Sequence, residues 1–237
     1  MQILYADISN MKDAFFDRYL EKLSEFRKEK IRNYRFEADR KRSFAAGVLL
    51  AAALKEKGIC EKHCAYEISA HGKIGLQAYP DISFNISHSG NLAAVIIQFP
   101  DETDKGMDSA CGIDIEQIKP GRNKIAERFF SEEENKILWE LPAKEAEIFF
   151  AKMWTRREAL GKCIGNGLDF NDARQREIMN EKLMAEHSFY FRDKLLEDSS
   201  GQAYVLNACA KEKSLLDAAD ISDYSHVFSS QDREYVL

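Results

Sequence analysis

The chain has 237 residues, 45% of them hydrophobic and 31% charged, with 12 Gly, 4 Pro and a formal net charge of −6. That is ordinary globular composition, and it excludes a fibrous or disordered chain. No apolar stretch approaches the roughly 20 residues of a membrane helix, and the opening MQILYADISNMKD lacks the basic start and apolar run of a secretion signal, so a soluble cytoplasmic protein is expected.

In chain order, MQILYADI reads as a strand, and residues 11–33 and 37–57 alternate apolar and charged positions at helical spacing, with Gly58 to end the second helix. The segment RKEKIRNYRFEADRKR, residues 27–42, holds eight Lys or Arg and three Asp or Glu, a local balance of +5. Such a run is either a solvated helix face or a surface for a polyphosphate, a nucleic acid or an acidic partner. AYEISA at 65–70 and FNIS at 84–87 are strand-like, LAAVIIQF at 92–99 is a buried strand, and SHSGN between the last two is a turn. Five scattered cysteines, at 60, 64, 111, 163 and 209, fit reduced thiols better than a disulfide framework. CEKHC at 60–64 is half a zinc motif, and no second ligand pair stands at metal-site spacing.

The polar PDETDKGMDSA, residues 100–110, reads as a linker or long hairpin, after which the pattern restarts. A strand CGIDIEQI is followed by a helix near 123–129 and a second from about 131, with Ser131 as N-cap and Glu134 closing a capping box. A long helix over 143–164 and strands near HSFYFRD, AYVLNAC and SHVFSS complete the chain. The repeated element order predicts an α+β fold of two similar lobes, 1–105 and 106–237. Two lobes in one chain make a monomer the simpler expectation.

The stretch CGIDIE sets two carboxylates on one face of a strand, Asp114 and Glu116, with Ile113 and Ile115 on the other. Like charges so close raise each other's pKa unless a cation or solvent separates them, so the pair calls for a partner. Glu158 continues the column Ala146, Phe150, Trp154 in steps of four and points inward; the alternative is an i,i+4 ion pair with Lys162 on an exposed face. Three carboxylates are the hard oxygen donors that Mg²⁺ takes, with phosphates and water filling its shell. Ser87 and His88 offer donors to phosphate oxygens, and Gly72-Lys73 forms a second small basic turn. Together these residues make the inventory of phosphoryl or related transfer. No phosphate-binding GxxxxGK[ST] loop or kinase signature is present. A metal-dependent phosphohydrolase or nucleotidyl transferase would use the same carboxylates. A nucleic-acid-binding module would use the basic segment, against which the acidic net charge argues.

GIDIE at 112–116, FFSEEE at 129–134 and WTRREALGK at 154–162, preceded by FNISHSG at 84–90, resemble the motifs of 4′-phosphopantetheinyl transferases of the larger, surfactin-synthetase-activating type. They stand in family order from about Lys28 to Leu168. The resemblance implies a pseudo-twofold pair of α+β lobes that binds coenzyme A and Mg²⁺ in the cleft. It implies transfer of the phosphopantetheine arm to a serine of an acyl or peptidyl carrier protein, with release of adenosine 3′,5′-bisphosphate; neither nucleic acid nor membrane is an implied partner. Asp114, Glu116 and Glu158 then resemble the metal-binding carboxylates, and Glu158 also the group that deprotonates the serine, directly or through a water. Lys162 resembles the lysine at the phosphates, Arg42 the arginine near the adenosine end, Ser87 and His88 the residues that hold coenzyme A phosphates, and Lys73 a basic coenzyme A contact. Two departures stand out: Arg157 precedes Glu158 where Lys is usual, and Ile74 follows Lys73 where Pro is common.

Overall fold

A computed structural model of the chain describes residues 1–100, 110–169 and 171–229. The expected linker falls almost wholly on 101–109, outside the described residues. β1 (Gln2–Asp7) is followed by α1 (Asp13–Leu20), α2 (Glu25–Arg32) and α3 (Glu37–Lys55). The single helix expected over 11–33 is therefore two. Ser24 restarts it, because its hydroxyl accepts from the Arg27 amide while its own N–H and O–H donate to buried Glu61. α3 is buried continuously from Ser43 to Leu54 and forms the spine of the first lobe. A short hairpin, β2 (Tyr66–Ile68) and β3 (Ile74–Leu76), precedes a long one, β4 (Ser83–Ser89) and β5 (Leu92–Gln98). Ser87 lies in a strand, as FNIS predicts, and His88 and Ser89 extend that strand, so the expected turn is confined to Gly90 and Asn91. Gly90 has φ +54° and the Tyr204 hydroxyl fills the space where a Cβ would stand, so only glycine serves there.

The second half holds β6 (Cys111–Gln117), α4 (Asn123–Phe129), α5 (Glu132–Glu140) and α6 (Ala143–Ile164), as the sequence predicts. The Ser131–Glu134 capping box is formed in both directions. Then come α7 (Ala173–Arg176), α8 (Glu181–Glu186), β7 (Tyr190–Glu197), β8 (Ala203–Ala210), α9 (Lys213–Ala218), β9 (Asp220–Asp223) and α10 (Ser225–Ser229). The expected strand SHVFSS is instead the helix α10. Asp223 caps it by accepting from the Ser225 amide, and Val227 and Phe228 sink into the first lobe's core. The true strand is β9, which pairs in parallel with β1. All five cysteines are free thiols.

Beside the two-stranded β2-β3, the two larger sheets have the orders β4-β5-β1-β9 and β6-β8-β7. In each lobe the first strand pairs antiparallel with the second strand of the later hairpin, β1 with β5 and β6 with β8, so the connectivity repeats. The fold is α+β, built of two similar units. α3 covers one sheet, α6 the other, and the sheets face each other. Along β5, Ala93, Val95 and Ile97 join the cluster of α3's Phe44 and Val48, while Leu92, Ala94 and Ile96 pack with Ile113, Ile115, Leu206 and Ala208 between the sheets. Burial on both faces explains why β5 is apolar almost throughout.

β6 is an edge strand, and its outer N–H groups are satisfied by side chains of β4. Asn85 Oδ1 accepts from Ile113 N at 3.2 Å, Ser87 Oγ from Ile115 N at 3.3 Å and Ser89 Oγ from Gln117 N at 3.1 Å. On the α6 side, Gly112, Asp114 and Glu116 form a stripe in which a Cβ on Gly112 would collide with the Ala159 carbonyl and the Cys163 amide. α6 is tied further by the buried pair of Arg157 with Glu134, and the Arg157 guanidinium lies 4.6 Å from the Phe130 ring centroid.

Gly112→Ala must push α6 off β6 and is expected to lower stability in urea by about 3 kcal/mol; an unchanged midpoint would refute so close a packing. Glu134→Gln leaves Arg157 buried with no counter-charge and is expected to cost about 3–5 kcal/mol. Denaturant titration of that variant checks it, and a loss below about 1 kcal/mol would show that the pair is not buried.

Candidate active site

A cleft of about 470 Å³ opens where the lobes meet. β6 sends Asp114 and Glu116 into it, α6 sends Glu158 and Lys162, β4 sends Ser87 and His88, and the β2–β3 turn sends Lys73. The structure therefore gathers every site residue predicted from sequence except Arg42. That side chain stands behind the cleft, donating to the Gly90 carbonyl at 3.0 Å and pairing with Asp39.

Asp114 is 6% exposed. Its Oδ1 accepts from Ser87 Oγ at 2.7 Å and from Lys162 Nζ at 2.7 Å. Glu116 accepts from Arg122 Nη2 at 2.5 Å and from Ser89 Oγ at 3.1 Å. The cations that this carboxylate pair requires are thus supplied by the chain itself. Lys162 turns to Asp114 in place of the i,i+4 pair with Glu158. Among the described residues Glu158 has no hydrogen bond or ion pair; burial, and then the negative charge of Asp114, push its pKa up, against an opposing pull from Lys162.

No three His, Cys, Asp or Glu side chains among the described residues are drawn together closely enough to hold a metal ion by themselves. The donor chemistry nevertheless fits a hard divalent cation. Three carboxylates face one cleft, and burial, then the negative charge of Asp114, push the Glu158 pKa up, a condition that a cation would relieve. Asp114, Glu116 and Glu158 would hold it, with oxygens of a bound ligand and water completing the shell.

The opposite wall is cationic. Burial, then the charge of Arg42, with Lys162 adding to it, bring the His88 pKa down to about 4. Arg27 is 2% exposed, donates to the Ser43 carbonyl at 2.8 Å, and has no partner for Nε among the described residues. Lys30 beside it has its pKa lowered by burial and then by Arg27. Both line the cleft, and sequence reasoning ranked neither among the principal site residues. Their signal lay in the phase of the basic run: positions 27 and 30 share one face of α2, whereas Lys28 and Arg32 turn to Glu21 and Lys41 to Asp13 and Glu37. Lys73 Nζ, in contrast, is spent on the carbonyls of Cys163 at 3.1 Å and Cys111 at 3.4 Å, holding the C-terminal end of α6. Arg157 faces away from the cleft toward Glu134, so its exchange for the usual Lys alters the packing of α6 and not the cleft wall.

The sequence profile of the 4′-phosphopantetheinyl transferase superfamily matches residues 110–209. The chain is 29% identical to 4′-phosphopantetheinyl transferase psf-1 of Bacillus pumilus over 72% of its own length and 71% of the relative's. It is 31% identical to 4′-phosphopantetheinyl transferase Sfp of Bacillus subtilis (strain 168), where the match spans 64% of each chain, a little under two thirds of the relative. To 4′-phosphopantetheinyl transferase pptA of Paxillus involutus it is 25% identical over 86% of this chain and 83% of the relative. The profile takes in β6 with its two carboxylates and the whole of α6 with Glu158 and Lys162, so the part of the chain that carries the candidate site is similar to the 4′-phosphopantetheinyl transferase superfamily.

Proposed function

We propose that this chain transfers the 4′-phosphopantetheine group of coenzyme A to a serine hydroxyl of an apo acyl or peptidyl carrier protein and releases adenosine 3′,5′-bisphosphate. One observation carries the reading: a single cleft sets the carboxylates of Asp114, Glu116 and Glu158 beside the cations Arg27, Lys30 and Lys162 and the imidazole of His88. Hard oxygen donors suit a divalent cation, and a buried positive field suits a polyphosphate.

In this reading Arg27, Lys30, Ser87 and His88 bind and orient the phosphates of coenzyme A, with Lys73 a further basic contact and Arg42 toward the adenosine end. Asp114, Glu116 and Glu158 would hold Mg²⁺, which when bound would supply charge neutralisation for the pyrophosphate. Glu158 takes the serine proton, directly or through a water. The serine oxygen bonds to the pantetheine-side phosphorus, and the bond from that phosphorus to the bridging oxygen breaks with its electron pair on the adenosine bisphosphate. Lys162, at the phosphates, neutralises charge on the leaving group. The lobes are residues 1–105 and 106–237, with the segment from Asp220 returning to the first sheet, and the enzyme works as a cytoplasmic monomer. No helix among the described residues is long and apolar enough to cross a membrane.

The test is the intact mass of an apo carrier protein incubated with the enzyme, coenzyme A and Mg²⁺. A gain of one phosphopantetheine group is expected. The rate should fall about 10²–10⁴-fold with Glu158→Gln, and fall likewise with Asp114→Ala or on chelation of the metal. Breakdown of coenzyme A without any gain on several carriers would make water the acceptor and sink the proposal. A second prediction concerns the cationic wall. NMR titration of His88 should give a pKa of about 4 against an ordinary value of 6.5. Because the unfolded chain takes up that proton first, His88 contributes stability that declines as pH falls from 6.5 toward 4. Coenzyme A should move the His88 pKa upward, and a titration near 6.5 that ignores the ligand would remove His88 from the anion site.

A further inference from the structure

After β6, the turn Lys119-Pro120-Gly121 folds the chain back so that Arg122, six residues on, lies against Glu116. Arg122 Nη2 meets Glu116 Oε1 at 2.5 Å, and the two side chains are 25% and 21% exposed, so this is a half-buried charge-assisted contact. The guanidinium is also held 5.9 Å from the ring centroid of Phe150. Phe150 stacks on Phe130 at 5.1 Å and on Trp154 at 6.1 Å, and Trp154 lines the cleft. Arg122 is therefore a fixed cation on the carboxylate that the proposed function gives to a metal.

We infer that Arg122 is an internal counter-cation that competes with the divalent cation for Glu116 and so weakens metal binding until a polyphosphate ligand adds negative charge to the cleft. The inference rests on the reading of Glu116 as a cation donor. With Lys162 on Asp114 and Arg122 on Glu116, both β6 carboxylates hold a protein cation, and an incoming divalent ion meets two positive charges as well as three negative ones. A bound pyrophosphate shifts that balance, so polyphosphate and metal tighten each other's binding by the same factor. The rival role for Arg122 is orientation of a metal ligand through a hydrogen bond, which predicts the opposite sign, because loss of such a support weakens metal binding.

Mn²⁺ binding, followed by the electron-spin-resonance signal of the free ion, decides between them on the full chain without coenzyme A. Arg122→Gln, and Arg122→Met which keeps the stem over Phe150, should each bind Mn²⁺ roughly five- to tenfold more tightly than the parent, with Arg122→Lys within about twofold of it. In Arg122→Gln the factor by which coenzyme A tightens Mn²⁺ should shrink. Equal or weaker binding by the neutral variants, or the same gain in Arg122→Lys, overturns the inference. Binding by the parent with no gain in the variants would overturn it alone. No Mn²⁺ binding by any form, with or without coenzyme A, would overturn the proposed function as well.

Discussion

The free edge of β6 is the constraint on which the site depends. Two edge strands, β4 and β6, meet where the lobes join, and each carries backbone groups that must find partners. A continuous ladder between them would fuse the sheets into one. Instead the oxygens of Asn85, Ser87 and Ser89 reach across to the amides of Ile113, Ile115 and Gln117. That spacing holds the strands apart by a side chain's length and leaves the serine hydroxyls beside the carboxylates. Ser87 consequently satisfies a backbone amide, donates to Asp114 and accepts from Lys162 through one oxygen.

Charge then follows from packing. Gly112 lets the backbone of α6 lie against β6, and that contact brings Glu158 and Lys162 over the stripe that carries Asp114 and Glu116. Asp114 is buried, and Lys162 and Ser87 both bond to its Oδ1. Glu158 has no such company among the described residues, so its carboxyl is the least settled of the three. Lys73, tethered to the Cys163 carbonyl in the last turn of α6, and Arg157, tethered to Glu134, fix the helix along its length so that this unsettled group is held in place.

Elements with strong local signals were legible in the sequence. The capping box at Ser131, the period of α6 and the alternation in CGIDIE each predict a feature that the structure contains, because propensity and burial agree there. Failures occur where tertiary contacts decide. SHSGN looks like a turn, yet His88 and Ser89 extend the strand, and the polarity of Ser87 and Ser89 serves the neighbouring lobe. DISD carries no pattern that announces a strand, because an edge strand pairs through its backbone and needs no apolar face. In SHVFSS the pair Val227-Phe228 mimics a strand but fills the first core from a short helix. The same reasoning applies to the cleft: its carboxylates were visible as an anomaly inside an apolar strand. The cations Arg27 and Lys30 were hidden in a charged run until helix phase separated them from Lys28 and Arg32. Arg122 offered no signal, since its contact with Glu116 depends on the path of a turn.

The repeat of one topology also explains why the chemistry sits on one side only. By connectivity β1 corresponds to β6, and α3 to α6. A faithful repeat would leave β1 with an open edge as well. That edge is taken by β9, whose residues Asp220 to Asp223 pair with Gln2 to Tyr5 through the backbone. A backbone ladder satisfies every amide but brings no functional side chain to the strand it covers. The edge of β6 is met by side chains instead, and side chains can hold a carboxylate, a lysine and a ligand at once. The asymmetry between a sealed edge and a served one is what turns a duplicated fold into a single cleft.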